Sequence, residues 1–377
     1  MGLFRRAAPS RVVTLPPRGK ALVLSDLHGH LGDWTAFLAA SELEARLLAG
    51  EDLWLIVTGD VPDVARHRAV DPSVPADGDV QVLEQIMALK ARLGPRGERV
   101  VYLEGNHDFH LARLAREVVR YHASRVGERP PAGPPRFSDA QRVGYCAWYL
   151  ETYGEAVYQN NVGPYDMLER IRPEHVTFLE AAPILAVCPG AGLAVTHAGP
   201  PRMAGARPAA LKRAIERADR EELRQATPES YYASPYHQML NNRFRNGDYG
   251  LDDVRGFLEV WECGVLVTGH TPHPYLVDFE RRAPYQDCAF QDGLGLIGPH
   301  QVVLCSSFGA FSPGLKRWLE VDLSRPHPGS EALVELGEVR PLYGVTEAPV
   351  LRPLPGAELV LGSLSPSSSD IAPSTHA

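Results

Sequence analysis

Carboxylate, imidazole and amide side chains follow five apolar segments of this sequence, each where a strand is predicted to end. These side chains belong to Asp26, His28, Asp60, Asn106, His107, His197 and His270. A single Asp or His after a strand usually caps a turn. Parallel strands end at the same edge of a sheet, however, so side chains from several strand ends can converge there. The pattern therefore predicts one site built from residues that are far apart in the chain.

The donor atoms in this set favour divalent metal ions. Carboxylate oxygens, imidazole nitrogens and one amide oxygen, without a thiolate, suit Mn²⁺, Fe or Zn²⁺, and we expect Mn²⁺ first. Without His107 there are still six potential ligands, more than the three or four protein ligands of one catalytic ion. We therefore expect two ions, bridged by Asp60. Two ions roughly 3.5–4 Å apart can share a hydroxide and hold a phosphoryl group during its transfer.

Short apolar runs predict the strands that must position these side chains. The predicted strands cover residues 21–24, 53–57, 100–103, 192–196, 264–268 and 301–305, and residues 317–323 are predicted to form an edge strand. Amphipathic helices are predicted to begin at Asp33 and to lie near residues 79–93, 207–226 and 251–261. The alternation of apolar strands and helices predicts an α/β fold with parallel strands.

The chain is predicted to have three parts. Residues 1–18 form a basic leader, residues 19–345 form one catalytic domain, and residues 346–377 form a Pro/Ser-rich tail that we predict to be disordered. Residues 109–182 interrupt the alternation of strands and helices with helical stretches and clustered aromatic residues. We interpret that segment as a helical insertion beside the site.

Composition excludes several classes of protein. The net charge of −8 argues against a general nucleic-acid binder, because a phosphate backbone requires a basic face. No run approaches the roughly 18 apolar residues that a membrane span needs. The five cysteines lack a CxxC pair and are predicted to be reduced thiols. No apolar segment typical of a signal peptide follows Arg5 and Arg6. We therefore expect a cytoplasmic protein without nucleic-acid or membrane partners.

Five motifs occur in order: DxH at residues 26–28, GDxxD at 59–63, GNHD at 105–108, His before small residues at 197–199, and GH at 269–270. Each motif alone is weak, but the ordered set on predicted strand ends is specific. Over roughly residues 20–310 the chain resembles the calcineurin-like metallophosphoesterases. This resemblance implies a four-layer αββα sandwich of mixed sheets, here with the helical insertion.

The resemblance also implies a role for each residue. Asp26, His28 and Asp60 match the ligands of the first ion, and Asp60, Asn106, His197 and His270 match those of the second. His107 matches the general acid or phosphate contact of the family, and Asp63 matches the carboxylate that orients it. In the implied reaction a metal-bridging hydroxide attacks phosphorus in line, and His107 protonates the leaving oxygen.

The last motif distinguishes branches of this family. Nucleases and many phosphodiesterases end in GHxH, but here Pro272 follows and the next histidine, His273, is one place too far. The chain thus resembles the Ser/Thr phosphoprotein phosphatases and their relatives that cleave dinucleoside tetraphosphates. Arg243, 27 residues before His270, matches the phosphate-binding arginine of that branch. Arg245 is the alternative if the register is shifted by two, and a surface role for Arg243 also remains open.

One position departs from the protein phosphatases. Those enzymes read GDxxDRG, whereas Val64 follows Asp63 here, and neither Arg66 nor Arg68 occupies the matching position. The leading hypothesis is a phosphatase acting on phosphomonoesters, either phosphoproteins or small phosphoesters. The alternative is a dinucleoside polyphosphate hydrolase of the diadenosine tetraphosphate type. A third hypothesis is a non-catalytic metal-binding scaffold. Pro272 and the net charge disfavour a nucleic-acid hydrolase.

Overall fold

The computed structural model describes residues 10–124, 139–153, 170–218 and 228–344. The strands in these ranges are β1 (Val12–Thr14), β2 (Lys20–Leu24), β3 (Leu53–Val57), β4 (Val100–Tyr102), β5 (Leu185–Cys188), β6 (Leu193–Thr196), β7 (Val265–Thr268), β8 (Val277–Asp278), β9 (Ala283–Pro284), β10 (Cys288–Gln291), β11 (Leu294–Ile297), β12 (Gln301–Val303), β13 (Arg317–Asp322) and β14 (Glu338–Pro341). The α-helices are Leu31–Ser41, Leu43–Leu48, Ala65–Arg68, Gly78–Arg92, Asn106–Ser124, Asp139–Tyr153, Pro173–Ala181, Pro208–Glu216, Pro228–Ala233, Pro235–Asn241, Leu251–Val260 and Ser330–Leu336.

Most of these strands form two mixed sheets. The larger sheet has the order β1-β5-β6-β7-β12-β11-β10, and the smaller has the order β14-β13-β2-β3-β4. Strands β2, β3 and β4 run parallel in the smaller sheet, as do β6, β7 and β12 in the larger. Strands β8 and β9 form a separate two-stranded ribbon.

Alternating side chains place β2 between two hydrophobic cores. Ala21 and Val23 share a core with β7 residues such as Val267, so one face of the small sheet packs on the large one. Leu22 and Leu24 point the other way and pack with helical residues such as Trp34. This alternation follows from the two-residue period of a strand.

A third core lies between the outer face of the large sheet and its helices, where Phe257 packs near Leu266. The resulting order of layers is helix, sheet, sheet, helix. The predicted αββα sandwich of mixed sheets is confirmed.

Two strand predictions need correction. Strand β13 was predicted to lie at an edge, but it pairs with β2 on one side and β14 on the other. The strand at this edge of the small sheet is β14, whose short polar sequence gave no apolar signal. Strand β1 lies within the predicted leader, yet it pairs in parallel with β5, so this part of the leader belongs to the sheet.

The described parts of the predicted helical insertion contain most of the helix Asn106–Ser124. They also contain the whole of the helices Asp139–Tyr153 and Pro173–Ala181. The predicted tail, and the leader before residue 10, lie outside the described residues. Within the described ranges, no helix combines the length and apolar character that crossing a bilayer requires.

Candidate metal centre

Most of the predicted site residues lie in loops after strands of both sheets, whereas Asn106 and His107 begin the helix Asn106–Ser124. Asp26, Asp60 and Asn106 follow β2, β3 and β4 of the small sheet. His197 and His270 follow β6 and β7 of the large sheet. The sequence predicted convergence at one sheet edge, whereas the residues meet where the ends of two packed sheets come together. The face-to-face packing of the sheets therefore builds the site as much as the parallel strands do.

The backbone of these loops is strained at the residues predicted to do chemistry. Left-handed φ angles occur at Asp26 (45°), His28 (39°), Asp60 (53°), Asp63 (80°) and His270 (61°). Non-glycine residues rarely adopt this conformation, and such strain persists only where surrounding interactions enforce it. The loops are therefore held in a geometry that the local sequence would not choose.

Two motif glycines make room for two of the carboxylates. A Cβ atom at Gly105 would collide with Asp60 Oδ1, and one at Gly269 would collide with Asp26 Oδ2. Any side chain at these positions would displace a carboxylate. The glycines of the GN and GH motifs therefore allow backbone and carboxylate to approach closely.

One group of buried ligand atoms surrounds His197. Its Nε2 atom lies 3.3 Å from Asp60 Oδ2, 3.0 Å from Asn106 Oδ1 and 3.1 Å from His270 Nδ1. Asp60, His197 and His270 are a set of side chains that could hold a metal ion. This is the combination of residues predicted for the second ion, with the Asn106 oxygen at hydrogen-bond distance from it.

A second group shares Asp60 with the first. His28 Nε2 lies 3.8 Å from Asp60 Oδ2, and His107 Nε2 lies 3.9 Å from the same oxygen. These three side chains could also hold an ion. Because Asp60 Oδ2 belongs to both groups, this carboxylate is placed where a bridging ligand would be needed.

The histidines are oriented by hydrogen bonds on the ring nitrogen that faces away from the site. His197 Nδ1 lies 2.8 Å from the Thr58 carbonyl oxygen, His28 Nδ1 lies 2.9 Å from that of Pro62, and His270 Nε2 lies 3.1 Å from that of Asn241. A carbonyl oxygen can only accept, so each ring places its proton there when it is neutral. The other nitrogen then presents its lone pair to the site, as metal-ligating histidines do.

Burial favours the neutral form of two of these rings. It lowers the pKa of His28 to about 3. Burial, and next the positive charge of Arg243, lower the pKa of His270 well below its usual value. Neutral imidazole is the form that binds a metal ion. Both residues are therefore in the protonation state that a ligand requires.

Asp60 and His197 form the opposite case. Burial raises the pKa of Asp60, but His197 and then His107 outweigh it and hold this pKa well below the usual value. Burial lowers the pKa of His197, but Asp60 outweighs it and raises this pKa to about 9. The buried Asp60 carboxylate is therefore stabilised by positive charge beside it.

Asp26 is close to the site, but its carboxylate contacts the backbone of His270, whereas the carboxylate of Asp60 lies beside histidine rings. Its oxygens lie 2.9 and 3.0 Å from the backbone nitrogen of His270, which donates to them. Burial raises the pKa of Asp26 to about 7, against the lowering effect of His197. Asp26 is in neither of the two ligand groups found among the described residues, where His107 accompanies His28 instead. Its role as a ligand of the first ion stays a prediction.

Asp63 contacts both His107 and Arg66. His107 Nδ1 lies 3.2 Å from Asp63 Oδ2, and Arg66 Nε donates to the same oxygen over 2.8 Å. Burial raises the pKa of Asp63, but His107 and Arg66 outweigh it and lower this pKa. The ionised carboxylate thus lies close enough to the His107 ring to orient it, and this role stays a prediction.

Arg66 lies at the site although its position in the sequence did not match the expected arginine. Its guanidinium carbon is 5.7 Å from the centre of the Phe308 ring, which itself lies 5.0 Å from the His28 ring. Within the guanidinium, Nε is the nitrogen with a hydrogen-bond partner among the described residues. The sequence indicated only that Arg66 is close to Asp63. The direction of the Arg66 side chain depends on the turn of the helix Ala65–Arg68, which the motif did not specify.

Arg243 lies near the second group, and Arg245 points elsewhere. The Arg243 guanidinium stacks over Tyr275 at 5.4 Å, and its buried Nε has no hydrogen-bond partner among the described residues. Its charge contributes to the low pKa of His270, as noted above. Arg245 instead donates to the Val277 carbonyl oxygen over 3.2 Å. The geometry thus favours Arg243 over its alternative as a residue facing the site.

Sequence reasoning missed the role of Asp108, the last residue of the GNHD motif. Its Oδ2 atom accepts hydrogen bonds from the backbone nitrogens of Asp60 (2.9 Å) and Gly105 (2.8 Å). Its Oδ1 atom accepts from the Tyr102 hydroxyl over 2.6 Å. Asp108 is fully buried and holds two of the motif loops together. Its place directly after His107, the predicted general acid, was the signal that the sequence offered for this role.

His273 lies outside both ligand groups, in agreement with its displaced position in the sequence. It is buried, its ring packs near Phe290 and Phe311, and its Nε2 lies 3.4 Å from the Val303 carbonyl oxygen. The extra residue before His273 therefore places it in the hydrophobic interior.

Comparison with known structures found several phosphatases at low sequence identity. A cold-active protein-tyrosine phosphatase from a psychrophilic Shewanella species is 14% identical, with 89% of this chain and 83% of that chain covered and a TM-score of 0.45. A Saccharomyces cerevisiae protein serine/threonine phosphatase similar to human PP5 is 14% identical, with 83% and 77% covered and a TM-score of 0.42. A putative diadenosine tetraphosphatase is 15% identical, with 83% and 93% covered and a TM-score of 0.36.

A comparison of the sequence with curated proteins gave no match. A family model described as calcineurin-like phosphoesterase, however, matches residues 19–274. This span is more than half of the chain, and it contains every motif from DxH to GH. The chain therefore belongs to the calcineurin-like phosphoesterases.

Proposed function

We propose that this protein is a two-metal phosphoesterase that hydrolyses phosphomonoesters, resembling the Ser/Thr protein phosphatases. The observation that carries the proposal is the position of Asp60 Oδ2, which lies 3.3 Å from His197 Nε2 and 3.8 Å from His28 Nε2. One carboxylate oxygen is thus shared by two sets of ligand atoms. Membership of the phosphoesterase family supports the same reaction class.

The donor chemistry of the site fits divalent ions. Asp26, His28 and Asp60 would hold one ion, and Asp60, Asn106, His197 and His270 would hold the other. When bound, such ions supply Lewis-acid stabilisation of the phosphoryl group and a water nucleophile of lowered pKa. We propose Mn²⁺ first and Fe or Zn²⁺ as alternatives, because oxygen and imidazole ligands without thiolate suit all three.

His107 is proposed as the general acid. Asp63 lies beside Nδ1 and orients the ring, so that Nε2 faces the site and can give a proton to the leaving oxygen. The backbone nitrogen of His107 also donates to Asp60 Oδ1 over 2.9 Å. This bond fixes the proposed acid relative to the proposed bridging ligand.

Arg243 and Arg66 are proposed to bind the substrate phosphate. Each guanidinium lies over an aromatic ring, and each has nitrogen atoms without a partner among the described residues. An arginine fork held in this way can donate two parallel hydrogen bonds to phosphate oxygens. The two arginines would also balance the charge of a phosphomonoester dianion.

Hydrolysis of dinucleoside polyphosphates is the second candidate. The observation in its favour is Val64, which is buried and occupies the position of the arginine that protein phosphatases place after GDxxD. A phosphoprotein-type phosphate site is therefore altered, whereas the proposed metal ligands are unaffected. We further propose a cytoplasmic location, which rests on the sequence argument above.

The test combines metal analysis of the purified protein with a panel of substrates. We expect turnover of p-nitrophenyl phosphate that a chelator abolishes and Mn²⁺ restores. A phosphopeptide and diadenosine tetraphosphate, compared at equal concentration, separate the two candidate functions. Bis(p-nitrophenyl) phosphate tests for diesterase activity. A folded, metal-loaded protein that hydrolyses none of these substrates would overturn the proposal and favour a non-catalytic scaffold.

A further inference from the structure

A buried polar network beside the metal centre has no part in the proposed chemistry. At its centre is Asp33, which lies in the helix Leu31–Ser41 and has no exposed surface. Its carboxylate accepts a hydrogen bond from Lys316 Nζ over 2.7 Å and is also hydrogen-bonded to the hydroxyls of Ser307 and Tyr343. A buried carboxylate with this many donors holds several chain segments in fixed relative positions.

The network continues from Ser307 to His67. A serine hydroxyl has one proton, and the Asp33 carboxylate accepts it. Ser307 Oγ can then only accept from His67 Nε2, which lies 3.1 Å away. Burial lowers the pKa of His67 well below its usual value, which favours the neutral ring, and the tautomer with its proton on Nε2 can donate to Ser307 Oγ. The order of donors is therefore His67 to Ser307 to Asp33.

Two members of this chain of hydrogen bonds, His67 and Ser307, are each adjacent in the sequence to a residue that faces the site. His67 directly follows Arg66 in the helix Ala65–Arg68, and Ser307 directly precedes Phe308. The Phe308 ring lies 5.4 Å from the His67 ring and 5.7 Å from the Arg66 guanidinium carbon. The backbone nitrogen of Phe308 donates to the Asp26 carbonyl oxygen over 3.0 Å. The hydrogen bonds of His67 and Ser307 thus restrain Arg66 and Phe308, their neighbours in the sequence, on the side away from the site.

We propose that Asp33, Ser307 and His67 are positioning residues that hold the Arg66–Phe308 pair in the geometry required to bind the substrate phosphate. The inference rests on the proposed function, since it takes Arg66 as a phosphate ligand. None of the three residues touches the substrate. Their effect on phosphate binding depends on Arg66. If they only stabilised the fold, their effect would be the same with or without the Arg66 side chain.

The test measures binding of inorganic phosphate to the Mn²⁺-loaded protein by calorimetry. One neutral hydrogen bond corresponds to a change of about three- to tenfold in an equilibrium constant, so S307A should weaken phosphate binding by about that factor. Affinity for Mn²⁺ should stay within about twofold of the wild-type value, because no proposed ligand is removed. The matched control is S41A. Ser41 lies in the same helix as Asp33, and its buried hydroxyl has no hydrogen-bond partner within the described part of the chain.

A double-mutant cycle decides whether the effect passes through Arg66. R66Q alone should weaken phosphate binding, and adding S307A to R66Q should cause no further loss. An equal loss from S307A in both backgrounds would overturn the proposal, as would wild-type affinity in either S307A or R66Q. If S307A does not fold, H67L and H67Q carry the same test: H67Q keeps an N–H donor and should bind phosphate nearly as well as wild type, whereas H67L should not.

Failure of this inference can be told apart from failure of the proposed function. If the wild-type protein binds phosphate but hydrolyses no substrate, the proposed hydrolysis is wrong. The positioning proposal is then still tested by the double-mutant cycle of S307A and R66Q. A metal-loaded wild-type protein that does not bind phosphate overturns the positioning proposal as well.

Discussion

The carboxylate of Asp108 accepts a hydrogen bond of 2.9 Å from the backbone nitrogen of Asp60, 48 positions earlier in the chain. The same oxygen accepts from Gly105, and the other oxygen accepts from Tyr102. One fully buried side chain thus joins the end of β3 to the end of β4. This connection supports the left-handed backbone of Asp60, which is the proposed bridging ligand.

We expect D108N to lower the free energy of unfolding by about 2 kcal/mol, because the neutral amide oxygen accepts the two backbone hydrogen bonds less strongly and the amide nitrogen replaces the oxygen that accepts from Tyr102. Y102F removes the hydrogen bond to Asp108 and the longer one from the Val61 backbone nitrogen (3.4 Å), and should lower the free energy of unfolding by about 1 kcal/mol. Urea denaturation of both variants measures the difference. Equal stability of D108N and wild type would show that Asp108 does not hold the two loops together.

D60N should remove both metal ions and reduce turnover of p-nitrophenyl phosphate by more than about 100-fold, because the neutral amide cannot bridge two cations. The control is D252N, which changes an exposed carboxylate that pairs with Arg255. Metal content per protein is measured by mass spectrometry. Retention of two ions in D60N would contradict the shared-ligand geometry.

H107N distinguishes a general acid from a metal ligand, a question raised by the place of His107 beside His28 and Asp60. As a general acid, His107 should contribute about 100- to 10,000-fold to kcat for an alkyl phosphate. The loss should be much smaller for p-nitrophenyl phosphate, whose leaving group needs little protonation. Metal content should stay unchanged.

D63N provides a matched comparison for H107N, since it should show the same dependence on the leaving group with a smaller loss. A fall in metal content of H107N, with equal losses for both substrates, would identify His107 as a ligand instead.

R243Q should raise KM for a phosphomonoester by about tenfold or more, because a bidentate contact to phosphate is lost. R245Q is the matched control, since its guanidinium bonds to Val277 and stacks on Tyr285. Steady-state kinetics at constant ionic strength give the comparison. A larger effect from R245Q than from R243Q would reverse the assignment.

Stability should fall as the pH is lowered from about 6.5 to about 4, in part because of His273. Burial lowers the pKa of this histidine from 6.5 to about 4, so the unfolded chain takes up its proton more readily than the folded one. The contribution is fully present above pH 6.5 and is lost through this range. By linkage it amounts to about 3 kcal/mol.

H273Q should therefore show a shallower loss of stability than wild type between pH 6.5 and pH 4 in thermal or urea unfolding. H300Q, at a partly exposed site, serves as the control. Parallel curves for H273Q and wild type would contradict the prediction.

The sequence by itself was sufficient for the family and, through that resemblance, for the layer order, and it indicated several of the residues that meet around Asp60. Strands β2, β3, β6 and β7 are apolar runs of several residues that end in recognisable motifs, so their existence and their ends follow from composition and period. It was insufficient for β1 and β14, which are short and partly polar and form only because a neighbouring strand is available to pair with them.

Only the tertiary structure decided how these parts combine. Two sheets must pack face to face before Asp60 of one can reach His197 of the other, and no local pattern encodes that distance. The same is true of Asp108, Arg66 and the Asp33 network, whose partners lie up to hundreds of residues away in the chain. Motifs specify which side chains arrive at a strand end, because that depends on local sequence. Which atoms then face one another depends on long-range packing, which exists only in the folded chain.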